Sequence, residues 1–283
     1  MNVRYVKSFL RKRFPYLVAL YKAISEAGSI TFDGWGMKTT ATLPPWFGDD
    51  VWKGSPGLTQ LLQVERDIIL DAQNGKFIST QFVGEDMSFV LESLRWRHYF
   101  VFMSCLLASQ RVKEQTRFTL VECGVCDGLT MRFSTGAAKL SFSNQWHGYL
   151  YDSWEKMPVE GLTPSETDIA GSYDNISLEC TKLNLKSEED NLTFNKGFIP
   201  ASLHRYERLD LVHWLHIDLN ASMPTLASLE FFRDSFAEGA VILLDDYGWP
   251  SHVDTRRVAD EFAKKMNTFC LQLPTGQALI ILL

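Results

Sequence analysis

From Phe118 onward, seven short apolar runs alternate with segments of helical periodicity, and no other feature restricts the fold as strongly. The runs are residues 118–121, 148–151, 192–194, 212–217, 240–244, 269–273 and 278–283. Between several of them, residues 129–140, 225–236 and 255–266 carry helical signals. Strands separated by helices are joined by crossovers long enough for parallel pairing. The pattern therefore predicts an α/β, Rossmann-like, doubly wound sheet of seven strands, mostly parallel, with helices on both faces. Pro224 suits a helix start, where its missing N–H would lack a partner anyway. Gly239 suits the turn after a helix, and residues 187–190 read as a short acidic loop.

Residues 1–115 have a different texture. Two helical stretches flank a loop-rich segment, residues 28–56, that holds most of that half's Gly, Pro and Trp, and the apolar spacing over 87–107 predicts one long helix. The expected division is an N-terminal helical and loop cap, residues 1–115, followed by the main domain, residues 116–283. Arg4, Lys7, Arg11, Lys12 and Arg13 are interleaved with apolar residues, a pattern that suits either an anionic membrane surface or, more simply, a solvated helix face. No run approaches the roughly 18 apolar residues of a membrane span, and the basic start lacks the apolar core and small-residue cleavage site of a signal peptide.

The formal net charge of −6 argues against a phosphate-backbone binder, so nucleic acid is not an expected partner. Five cysteines, an odd number, fit a reducing compartment and hence a cytoplasmic location.

In open α/β sheets ligands bind beyond the carboxyl ends of the strands, so chemistry is sought at the residues that follow each run. The first run leads into Glu122-Cys123-Gly124-Val125-Cys126-Asp127-Gly128. Gly124 permits a tight turn, and Gly128 permits close approach of loop and helix to a ligand. The dinucleotide pattern G-x-G-x-x-G is not met, and an acid two residues before the first glycine suits a cationic ligand better than a pyrophosphate. Cys123 and Cys126 have no second pair to complete a zinc site. The second run ends at Asp152-Ser153, one β-α-β unit further on. The fourth and fifth runs end at Asp218 and at Asp245-Asp246, which brings three carboxylates into one mouth. Unpaired, they would repel and raise one another's pKa; a hard divalent cation such as magnesium would remove the conflict.

These residues carry a resemblance. E-x-G-x-x-x-G after a first strand looks like motif I of class I S-adenosylmethionine-dependent methyltransferases. Asp152-Ser153-Trp154-Glu155-Lys156-Met157-Pro158, Lys196-Gly197-Phe198-Ile199-Pro200, His216-Ile217-Asp218, Pro224-Thr225, Glu238-Gly239-Ala240-Val241-Ile242 and Asp245-Asp246-Tyr247-Gly248 are similar, in order, to segments of the macrocin O-methyltransferase family. The resemblance implies that Glu122, Gly124, Gly128, Asp152 and Ser153 hold S-adenosylmethionine, with Asp152 on the ribose. It implies that Asp218, Asp245 and Asp246 hold a divalent metal, that Asp218 is also the general base, and that the acceptor is a hydroxyl of a sugar or other small molecule. It places an acceptor lid and a subunit contact, hence a homo-oligomer, in the segments before the core, which would suit Trp35, Trp46 and Trp52.

The chain departs from that family at Asn220, where a second acid is usual, and at Ser222, where a tyrosine is usual. A nucleotide-sugar or nicotinamide enzyme on a similar sheet, and a non-catalytic binding module, remain as other readings. His213 and His216 alternate with apolar residues in a strand, which favours packing for at least one of them, and His252 is expected in a surface loop. Tyr247 suits either the acceptor wall or packing.

Overall fold

The computed structural model describes residues 57–112, 117–143, 145–206 and 208–282, together with the backbone of 30–32 and 37–39. The basic stretch from Arg4 to Arg13 and the tryptophans Trp35, Trp46 and Trp52 lie outside the described residues. Two three-residue strands, β1 (Ile30–Phe32) and β2 (Met37–Thr39), pair antiparallel. They are followed by α1 (Leu58–Gln73) and α2 (Met87–Ser109), the latter capped by Asp86, whose carboxylate accepts from the Ser88 backbone N–H at 2.9 Å.

The main sheet begins with β3 (Phe118–Cys123), α3 (Leu129–Phe142), β4 (Trp146–Asp152), α4 (Leu178–Asn184) and β5 (Leu192–Lys196). It continues with β6 (Val212–Ile217), α5 (Ser222–Phe232), β7 (Phe236–Leu244), α6 (Val253–Lys265), β8 (Leu271–Gln272) and β9 (Ala278–Ile281). The spatial order is β5-β4-β3-β6-β7-β9-β8. The first five strands in that order are parallel; β9 lies antiparallel between β7 and β8 because the short β8–β9 connection cannot cross over. The expected seven-stranded, mostly parallel, Rossmann-like sheet is present.

Alternate residues of the strands feed two cores. Leu120, Trp214, Val241 and Leu243 face α1, α2 and α3, whereas Val121, Leu215, Ile217, Ile242 and Leu244 face α5 and α6. The helices before the sheet are thus one of its covering layers: α2 packs on α3 and reaches β6 and β7, and Ser104 accepts a hydrogen bond from Trp214 Nε1 at 3.0 Å. No helix among the described residues is long and apolar enough to cross a membrane.

Three local expectations are corrected. Gly239 lies inside β7, at φ +78°, where the register with β6 shifts; it relieves a bulge rather than ending a helix. The helix expected over 225–236 is α5 followed by a 3₁₀ turn, Arg233–Ser235. The acidic loop at 187–190 belongs to a 3₁₀ segment, Lys186–Asn191, because Glu188 is buried and takes Lys139 Nζ at 2.6 Å.

Candidate active site

The loop after β3 folds tightly over the end of β6. Gly124 has φ +87°, and a Cβ there would come within 1.8 Å of the Asp218 backbone oxygen. The two strand ends are tied by Asp218 N–H donating to Cys123 O at 2.8 Å. Asp152, at the end of β4, clamps the same loop: its Oδ2 accepts from the Val125 and Cys126 N–H groups at 2.7 and 2.9 Å, and its Oδ1 from Trp154 N–H at 2.7 Å. Burial raises the Asp152 pKa against the pull of these donors. Beneath the loop, Trp154 Nε1 donates to Thr181 Oγ1 at 2.8 Å, and that hydroxyl donates on to Cys126 O.

Two cavities open on this loop. The smaller, of about 540 Å³, is lined by Gly124, Asp152 and Ser153 and by the segments after β5 and β6, from Gly197 to Pro200 and from Leu219 to Ala221. The larger, of about 1000 Å³, holds Asp127, Asp168, Asp218, Asp245 and Asp246. Gln81, Gly124, Cys126, Tyr173, Asp218 and Asn220 line both, so the cavities meet at the end of β6.

The strand-end acids are brought together as the topology requires, but the space between them contains an arginine. Arg97, from α2, places Nη2 2.6 Å from Asp218 Oδ2, and Nε 3.1 and 3.2 Å from the two oxygens of Asp245. Its Nη1 donates to Thr130 Oγ1 at 2.8 Å. Asp245 also accepts from Gln277 Nε2 at 2.9 Å, and Asp246 accepts from the Asn220 N–H at 2.8 Å with His252 Nε2 at 3.6 Å.

Behind this group, on the same face of the sheet, Glu122 and His216 are fully buried, and His216 Nδ1 meets Glu122 Oε1 at 2.9 Å. Register neighbours on β3 and β6 make that pairing inevitable once both strands lie in the sheet. Gly128 caps α3 at φ +85°, and a Cβ on it would press on Leu185 of the chain after α4.

The electrostatics follow from these positions. Burial and the charges of Asp245 and Asp246 push the Asp218 pKa well up, against Arg97. Burial also opposes ionisation of Asp245, but Arg97, His216 and Gln277 together hold its carboxyl well below the usual range. Asp246 is pushed up to about 6 by burial and by Asp245. Burial favours a neutral His216, yet the flanking carboxylates of Asp245 and Glu122 raise it to about 9.

A divalent ion finds donors here, since His216, Asp218 and Asp245 each offer a ligand atom within 4.8 Å of the others. It does not fit beside the guanidinium, which already takes oxygens of Asp218 and Asp245 at hydrogen-bond distance.

Sequence reasoning missed Arg97, Tyr173 and Gln81. One signal was available for the first: Val90, Leu94, Arg97 and Val101 recur at helical spacing, which puts a charge on the buried face of α2. His252, expected in a surface loop, is buried against Asp246, and His213 is buried as well. Tyr247 turns to α6, where its hydroxyl donates to Asp260 at 2.7 Å. All five cysteines are free thiols.

No protein-family model matches the sequence, and no curated protein matches it. Solved structures do share the fold. The O-methyltransferase NovP superposes over 65% of this chain and 78% of its own, with a TM-score of 0.57 and 16% identity. CalS11, a calicheamicin methyltransferase, covers 85% of this chain and 99% of its own, with a TM-score of 0.58 and 12% identity. The apo structure of CalS11, there described as a TDP-rhamnose 3'-O-methyltransferase, has a TM-score of 0.50 and 14% identity over 80% of this chain and 95% of its own. At these identities the likeness is one of fold.

Proposed function

We propose that this chain is an S-adenosylmethionine-dependent O-methyltransferase that methylates a hydroxyl of a small, polar acceptor. The observation that carries the proposal is the junction at Asp218, a half-buried acid that lines both a cavity of about 540 Å³ beside the Gly124 loop and a larger acid-rich one. The smaller volume lies within the roughly 300–1,000 Å³ of typical small-molecule sites. Gly124, Asp152 and Ser153 would hold the cofactor there, Asp152 through the loop it clamps and its place beside the cavity. S-adenosylmethionine, when bound, supplies an electrophilic methyl group.

The chain's own residues supply alignment and a base. Asp218 accepts the proton of the acceptor hydroxyl as a carboxylate, the form that the Arg97 guanidinium at 2.6 Å favours and orients. Asp127, Asp168, Asp218, Asp245 and Asp246 surround the acceptor volume against the single guanidinium of Arg97. That balance favours a neutral or cationic polyol, such as a sugar, over a phosphorylated one.

Calorimetry with S-adenosylhomocysteine and with NAD, followed by methyl transfer from S-adenosylmethionine to a panel of neutral and amino sugars, tests the reading. Binding of the first ligand and turnover on at least one sugar are expected. Binding of NAD alone would sink it.

A further inference from the structure

We propose that Arg97 is the resident cation of the acid mouth, occupying the place of the divalent ion that the sequence resemblance implies, so that the site works without a metal. The proposal deepens the methyl-transfer reading and rests on it for its purpose, but its test does not.

Three observations converge. The guanidinium bridges Asp218 and Asp245 from a buried position, with its third nitrogen fixed on Thr130. A planar, permanently charged fork held at both ends is placed as a counterion, not as a mobile surface group. Two of the three carboxylates also have a further protein donor: Gln277 Nε2 donates to Asp245 and the Asn220 N–H to Asp246. A bound ion would have to displace the guanidinium from the facing oxygens of Asp218 and Asp245 to gain its ligands. Finally, the fourth acid of the resembled pattern is Asn220 here, and its amide donates to Tyr173 Oη at 3.2 Å instead of adding charge. With Asn220 in that place, the fixed monovalent cation has one fewer negative charge to offset in the same cavity.

The chemical consequence is specific. An arginine cannot ligate and acidify a substrate hydroxyl as a Lewis acid does, so Asp218 alone takes the proton, and Arg97 acts through it as a positioning residue.

Mn²⁺ titration followed by electron paramagnetic resonance, on the full chain treated with chelator, tests the proposal. The wild type is expected to take up no ion up to about 1 mM, the weak end of protein divalent-ion sites. R97Q is expected to gain a site that binds roughly tenfold tighter or better, and R97Q/D246N to lose it. R97K keeps a cation in place and should behave as the wild type does. Uptake by the wild type that D246N removes would overturn the proposal, and so would a folded R97Q that gains no site. If R97Q does not fold, the wild-type titration decides alone: uptake removed by D246N refutes, and no uptake upholds. S-adenosylhomocysteine calorimetry on the same samples separates the two ideas, because failure to bind it would remove the methyl-transfer reading while leaving the ion result intact.

Discussion

Replacing Gly124 with alanine attacks the closest backbone approach at the site. The new Cβ would lie 1.8 Å from the Asp218 carbonyl oxygen and 2.6 Å from its carbon, where ordinary contact begins at 3.4 Å. The ends of β3 and β6 would have to part by about 1.6 Å. That movement strains the Asp218 N–H to Cys123 O bond and the Gly124 N–H to Tyr151 O bond, at 2.8 and 2.9 Å, at a cost of about 1 kcal/mol each. A left-handed alanine adds about 1–2 kcal/mol.

The sum, about 3–4 kcal/mol, is a large share of the roughly 5–15 kcal/mol that holds a domain folded. At about 2–4 °C per kcal/mol for a chain of this size, the melting temperature should fall by roughly 6–16 °C. Gly75→Ala is the matched control, since Gly75 also has positive φ, +69°, but nothing lies within 4 Å of its Cβ position; it should cost only the backbone term. Thermal melts of both variants, with calorimetry of S-adenosylhomocysteine on G124A, read the effect. Equal melting temperatures for the two variants, with cofactor affinity unchanged in G124A, would refute the reasoning.

Asp218→Asn should abolish methyl transfer while leaving S-adenosylhomocysteine affinity nearly intact, and equal loss of both would contradict a base at that position. His213 is neutral in the fold: its Nδ1 accepts from Thr119 N–H at 3.0 Å, and burial lowers its pKa from 6.5 to about 4. A depressed histidine pKa stabilises above 6.5 and loses that contribution as pH falls toward 4, so unfolding by denaturant should show about 1–2 kcal/mol less stability at pH 5 than at pH 7. H213Q, which keeps an acceptor but does not titrate, should flatten that dependence, and an unchanged slope would count against it. Thr181→Val removes the hydroxyl that links Trp154 to Cys126 O; it should cost about 1–3 kcal/mol in denaturant melts and weaken S-adenosylhomocysteine binding by loosening the Gly124 loop.

Much of this architecture is legible in the sequence because a parallel strand buried on both faces reads as an unbroken apolar run, and the residues just beyond each run fall along one edge. Asp152, Asp218, Asp245 and Asp246 are found by that rule alone. What covers them is not legible in the same way. Arg97 pairs with Asp245 across 148 residues, and nothing local to either residue fixes how α2 is rotated on the sheet. A charge within the apolar spacing of α2 flags burial without naming its partner. Gly239 was misplaced for a related reason: a bulge is set by the register between β6 and β7, which is a property of two strands and not of one. The pairing of Glu122 with His216 also needs register knowledge, since either residue taken alone suits another role.

Asp245 receives Arg97 from a helix that precedes the sheet and Gln277 from the turn before the final strand. A nascent chain therefore cannot complete the surroundings of this carboxylate until Gln277 has been synthesised and β9 has slotted between β7 and β8. Until then Arg97 is the counterion of Asp218 and Asp245, and Asp245 lacks its amide donor. The amide donor of Asp245 is thus the last of the mouth's contacts in the order of chain growth, and it ties the acids to the closing of β9 on the sheet.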